Sequence, residues 1–145
     1  METSPRDELD ALLDALFSFA HQQIEQHGEF FPFAAAISAS GELRMVATHT
    51  GDEQPLSQDV IDDLYRVLTA EAASGAIRAA GVCADVLVTP SGQAKTDAVR
   101  ADLEHAAADA IRVFLPYRNN GHGEYEFGEL FAEPGAPRLR FANPS

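Results

Sequence analysis

Apolar residues recur along the chain in two rhythms. Through Leu9, Leu12, Leu13, Leu16, Ala20 and Ile24 the steps are three and four residues, the period of a helix with one apolar stripe. Ser4 offers an N-cap before Pro5 at the first helical position, Asp7 and Glu8 fall where the helix dipole favours anions, and Gly28 is the expected stop. A second stripe, Ile61, Leu64, Leu68 and Ala72, follows Ser57 as N-cap, with Leu56 and Ile61 as a hydrophobic staple. Asp59, Asp62 and Asp63 occupy its first turns, and it should end near Gly75 or run on to Arg78.

Elsewhere the period is two. Residues 33–39 and 43–49 flank Ser40-Gly41 and predict a hairpin, whose small residues imply a helix packed closely on one face. Residues 81–89 read as a strand by their β-branched content, and Pro90-Ser91-Gly92 as a turn. Residues 110–131 predict two more strands: Ile111, Val113 and Leu115 alternate with Ala110, Arg112 and Phe114, and Pro116, with no N–H to give, ends the regular pairing. Asn119, Asn120, Gly121 and Gly123 make the turn, since asparagine and glycine tolerate positive φ. On the return, Tyr125, Phe127 and Phe131 lie among Glu124, Glu126 and Glu129, and Gly128 interrupts the alternation as a bulge residue would. Glu133-Pro134-Gly135 is expected to turn the chain into an edge strand at residues 138–141, leaving Asn143-Pro144-Ser145 mobile.

Residues 96–108 fit both rhythms. A helical wheel gathers Val99, Leu103, Ala106, Ala107, Ala110 and Phe114 on one side, whereas Val99, Ala101 and Leu103 also alternate with Arg100, Asp102 and Glu104. We adopt the strand, because Ile111 spoils the helical face and the neighbouring segments form a short-looped meander. The abundant alanine, beside nine arginines and one lysine, reflects a GC-rich genome and counts little toward helix. The result is a single α+β domain over residues 1–145, an antiparallel sheet of about five to six strands with two main helices, in the order α-β-β-α-β-β-β-β.

That order resembles the roadblock and profilin-like topology, which implies binding of small GTPases or membrane-linked partners, although those families close with a further helix that has no counterpart here. The stretch from Leu115-Pro116-Tyr117-Arg118 through Glu126-Phe127-Gly128-Glu129-Leu130-Phe131-Ala132-Glu133-Pro134-Gly135 is also similar to small bacterial proteins of unassigned function. This second resemblance carries no functional residue with it.

Charge narrows the partners. The formal net charge of -13 opposes binding to a phosphate backbone, and residues 1–63 hold -11 of it, with Arg6 and Arg44 their only bases. The N-terminus lacks the basic and apolar segments of a secretory signal, no apolar run approaches a membrane span, and Cys83 has no second cysteine to pair with. A cytoplasmic protein is expected.

Catalytic signatures are missing. Walker, Rossmann, nucleophile-elbow and zinc-spacing patterns are absent, so no catalytic residue, cofactor or metal is expected. Cys83 reads as a small buried hydrophobe, and His21 with Glu25 shares a helix face without making a metal site. Glu104 and His105 are neighbours that a strand would point to opposite faces. Tyr117, Arg118, Glu126 and Glu129 either pair charges across the hairpin or line a cleft beside it. The leading expectation is a non-catalytic protein-binding module, of immunity or adaptor type, whose acidic surface meets a basic partner. The alternative is a small-ligand binder or minor enzyme with Tyr117, Arg118 and Glu129 lining its pocket, Arg118 being suited to carboxylate or phosphate. A two-fold homodimer is a further expectation, because residues 33–39 would form an uncharged sheet edge.

Overall fold

The computed structural model describes residues 4–47, 57–90 and 92–142. Helix α1 spans Pro5–His27 and is closed at both ends by local chemistry. The Ser4 hydroxyl accepts from the Asp7 N–H at 3.0 Å while the Asp7 carboxylate accepts from the Ser4 N–H, a reciprocal capping box. At the far end Gly28 takes the left-handed conformation, φ 79°, and its N–H donates to the Ile24 carbonyl at 2.8 Å. A Cβ there would also lie 2.9 Å from the Tyr125 hydroxyl, so glycine serves both the turn and the fit of the later hairpin.

Strands β1 (Phe33–Ser38) and β2 (Leu43–Val46) form the first hairpin, and helix α2 (Ser57–Ser74) follows, ending at Gly75 with φ 82°. Ser57 is the first helical residue rather than the one before the helix, and the staple partner Leu56 lies outside the described residues. Five strands complete the chain: β3 (Ile77–Val88), β4 (Thr96–His105), β5 (Ala108–Asn119), β6 (Tyr125–Phe127) and β7 (Phe131–Pro134). All pairs are antiparallel in the order β2-β1-β3-β4-β5-β6, with β7 also on β5, a seven-stranded sheet rather than one of five or six. The ambiguous residues 96–108 hold strand β4, whose register with β3 runs unbroken from Val88↔Thr96 to Ala79↔His105.

Alternate residues of the same strands belong to two cores. Ala35, Ile37, Ala79, Cys83, Val99, Ala101 and Leu103 pack with Leu12, Leu16, Ala20 and Ile24 of α1. Ala34, Ala36, Ala80, Val82 and Ala84 pack with Ile61, Leu64, Leu68 and Ala72 of α2, so the helices lie on opposite faces. The alanine-rich β1 is therefore covered on both faces, not one, which explains its lack of alternation. Close approach reaches its limit at Gly81, where a Cβ would fall 2.7 Å from Leu16 Cδ1 and 2.6 Å from Leu103 Cδ2. Strand β1 also sits inside the sheet, paired with β2 and β3, so the uncharged edge that motivated a homodimer does not exist there.

Several local expectations change at the C-terminal end. Pro116 does not end its strand: β5 runs on to Asn119, and the Gly128 N–H donates to the Pro116 carbonyl at 2.8 Å. That carbonyl faces the outer edge, so the missing proline N–H also faces outward and the ladder to β4 loses nothing. Phe127 pairs with Tyr117 and Phe131 with Phe114, so the edge advances four residues while β5 advances three. Gly128 itself stays in register opposite Pro116, and the extra residue falls just after it, where Glu129 and Leu130 together face Leu115, not at Gly128. Glu133 and Pro134 belong to β7 instead of a turn. The Gly135 N–H donates inward to the Ala110 carbonyl, which by alternation places Pro134 at an outward position where its missing donor protects the edge. Residues 138–141 form no strand; this segment crosses to the α2 side, buries Leu139 and returns an Ala142 N–H to the Ala72 carbonyl at 2.8 Å. In the β5–β6 turn only Gly121 and Gly123 take positive φ, while Asn119 and Asn120 use their side chains to accept the Gly121 and His122 N–H groups. Asn143, Pro144 and Ser145 lie outside the described residues.

Candidate functional site

The hairpin residues singled out by sequence have separate fates. Tyr117 is buried, and its hydroxyl donates to Asp85 Oδ1 at 2.6 Å. Burial raises the Tyr117 pKa, reinforced by the Asp85 bond, and burial also raises Asp85 against the lowering effect of the same bond. Arg118 is exposed and pairs across the hairpin with Glu126 at 2.8 Å, the arrangement a solvated strand pair adopts. Tyr117, Arg118 and Glu126 border a cavity of about 520 Å³ beside Lys95, whereas Glu129 borders a neighbouring one of about 560 Å³ with Leu130 and Phe131. Tyr117 and Arg118 thus share a cavity wall that Glu129 does not join.

Glu104 and His105 point to opposite faces, as neighbours on a strand must. His105 joins a buried cluster under the first turn of α1, with His105 Nε2 2.8 Å from Glu8 Oε1 and Arg78 Nε 3.1 Å from both Glu8 oxygens. The Ala107 N–H donates to His105 Nδ1 at 2.9 Å, so Nδ1 is the acceptor and Nε2 carries the proton that Glu8 receives. With both ring nitrogens engaged, this imidazole fastens helix to sheet. Arg78 also donates to the Ala39 carbonyl at 3.0 Å, tying the β1–β2 turn into the cluster. Glu104, on the other face, accepts the Arg138 and Leu139 N–H groups at 2.8 and 3.0 Å, and burial raises its pKa despite them. Cys83 is fully buried, with its thiol pKa pushed up by burial. His21 lies 3.4 Å from Glu25 and stacks on Phe127, and no group of three His, Cys, Asp or Glu among the described residues is placed to hold a metal ion.

The concavity with the clearest character lies elsewhere. A groove of about 480 Å³ runs between the first half of α1 and strands β5 and β7, with Leu9, Leu13, Leu103, Ile111 and Val113 along its floor and walls. Its charged lining is Asp10, Asp109 and Glu133 against Arg6. The acids Asp7, Asp10 and Asp14 are exposed along this part of α1, and Asp10 and Asp14 make no ion pair among the described residues. The α1 stripe was legible as a core face, but the groove depends on β7, whose Glu133 and Pro134 the sequence assigned to a turn.

No family model, curated protein or solved structure matches the chain, so the functional argument rests on its own residues. No helix among the described residues is long and apolar enough to cross a membrane.

Proposed function

We propose that the chain is a non-catalytic protein-binding module of immunity or adaptor type, acting in the cytoplasm, whose α1 side receives a basic partner. The observation that carries this reading is the α1–β5–β7 groove: an apolar floor under a rim where three acids outnumber one arginine. Its chemistry suits an apolar anchor side chain flanked by lysine or arginine, with apolar burial giving affinity and the rim giving orientation and salt dependence. The exposed acids of α2, Asp59 and Asp62, lie on the other side of the sheet and are available only to a different partner surface.

The test is capture of partners from native lysate at low and high salt, with cross-linking to locate the contact. Reversing charge by Asp10→Lys with Asp14→Lys should abolish capture, while Asp59→Lys with Asp62→Lys should leave it intact. Capture that ignores salt, or that both pairs weaken equally, overturns the reading. A second reading, a small-ligand binder or minor enzyme, draws on the cavities flanking the β5–β6 hairpin. A homodimer, in turn, would draw on Leu43 and Met45, exposed large apolar residues of edge strand β2.

A further inference from the structure

On the α2 side of β4 one cationic side chain is sheltered without being satisfied. The Arg100 side chain is only 26% exposed, and its Nε is sealed from solvent with no hydrogen-bond partner, the only such side-chain nitrogen or oxygen among the described residues. Nε lies 3.1 Å from Asp102 Oδ2, an ion-pair distance, but its N–H is not directed at that oxygen. Asp102 instead accepts from Arg112 Nε at 2.6 Å. Two guanidiniums therefore share one carboxylate, and only one is hydrogen-bonded to it. Arg44, Arg66, Arg78 and Arg118 all direct N–H groups at carboxylates, so Arg100 stands apart in having one donor, the Nε–H, both sheltered and unspent.

Its surroundings favour an organic anion. Phe114 stands opposite Arg100 on β5 and stacks on Phe131 at 4.8 Å, a ring pair with Phe131 partly exposed. The nearby acids are already engaged: Glu104 accepts two backbone N–H groups, and Glu133, more than half exposed, reaches Arg112 only at 3.8 Å. Helix α2 packs chiefly on β1 and β3 and reaches toward this part of the sheet face through Tyr65, whose ring carries Arg138 at 3.7 Å, beside the segment whose Arg138 and Leu139 N–H groups bind Glu104.

We propose that Arg100 and Arg112 form an oxyanion-binding site, taking the carboxylate or phosphate group of a small organic anion whose carbon part rests on the Phe114–Phe131 rings. A guanidinium fork matches a planar carboxylate or a phosphate face, and buried polar atoms left without partners mark places where a ligand or ion completes the structure. This site shares Glu133 with the groove on the α1 side and otherwise draws on different residues.

The experiment follows the arginine Nε–Hε resonances of ¹⁵N-labelled protein at low salt, titrated separately with benzoate and with inorganic phosphate. A saturable shift of the Arg100 resonance is expected with at least one probe. Benzoate alone identifies a carboxylate ligand, phosphate alone a phosphate ester, and both the shared oxyanion chemistry. In Arg100→Gln the accompanying shifts at Phe114 and Phe131 amides should need about tenfold more probe, as loss of a charge-assisted hydrogen bond implies, while Arg118→Gln titrates as the parent does. No saturable Arg100 shift with either probe overturns the proposal, as do Phe114 and Phe131 shifts that survive unchanged in Arg100→Gln. The parent resonance alone decides the matter if the Arg100 variant fails to fold.

Discussion

Beneath α1 the sheet is closed by apolar contact, and the polar groups on that side are satisfied at its margins, Glu8 with Arg78 and His105, and Asp85 with Tyr117. Across the sheet α2 covers β1 and β3, and beyond it β4 presents Arg100, Asp102 and Glu104 where its other face presents Val99, Ala101 and Leu103. One strand supplies both surfaces by simple alternation. What differs is the cover above each, and the comparison teaches that polar side chains in the middle of a sheet mark the region where direct helix packing gives way to the chain segment at 138–142.

The sharpest way to break the comparison is truncation under α1. Leu16→Ala should destabilise by about 3 to 4 kcal/mol in urea denaturation, because Leu16 is fully buried and its neighbours cannot all collapse into the gap. Next comes Glu8→Ala, expected to cost about 3 kcal/mol by leaving Arg78 and His105 without their shared carboxylate, with Glu8→Gln recovering part of the loss. Gly81→Ala should cost about 1 to 2 kcal/mol by overpacking against Leu16 and Leu103, visible as a lower Tm. On the other face Phe131→Ala should cost only about 1 kcal/mol, the worth of a partly exposed ring contact, and equal losses at Leu16 and Phe131 would erase the distinction between the faces.

The smallest effect is in pH dependence. The folded-state pKa of Asp85 is raised, chiefly by burial, so the folded protein holds that proton more tightly than the unfolded chain does. Its contribution is therefore fully present below the unfolded carboxylate value and is lost as pH rises through the folded one. Asp85→Asn, which keeps an acceptor for the Tyr117 hydroxyl, should look most favourable relative to the parent at neutral pH and lose that advantage on acidification. Parallel denaturation curves at neutral and acid pH measure the difference, and a pH-independent gap would mean that Asp85 is not desolvated in solution.

Much of the fold was readable because its signals are local. Ser4, Pro5 and Asp7 start α1, Gly28 and Gly75 end the helices, and the Ser40-Gly41 and Asn120-Gly121 turns sit where their chemistry placed them. Strand β4 was readable only as one of two alternatives, because Val99 and Leu103 satisfy both periods when no partner is known. Pro116 and Pro134 were misread because a proline is harmless or harmful according to which way its missing N–H points, and that depends on the neighbouring strand. For the candidate sites, Tyr117 and Arg118 were visible as chemistry but not as geometry: one is buried on Asp85 and the other paired with Glu126. The acidic groove and the Arg100 cluster had no motif to announce them, since their members come from separate strands and, for the groove, from a helix more than a hundred residues away in the chain.

The amino-acid sequence by itself determined the two helices, the hairpins, the antiparallel α+β class and the concentration of negative charge in residues 1–63. These follow from side-chain period, capping chemistry and counting, all of which act within a few residues or need no coordinates. Only the tertiary structure decided that α1 and α2 lie on opposite faces, splitting one acidic half of the chain into two surfaces pointing apart, and that Arg100 and Arg112 meet over a single carboxylate. Those outcomes depend on strand register, and register converts a step of one residue into a change of face.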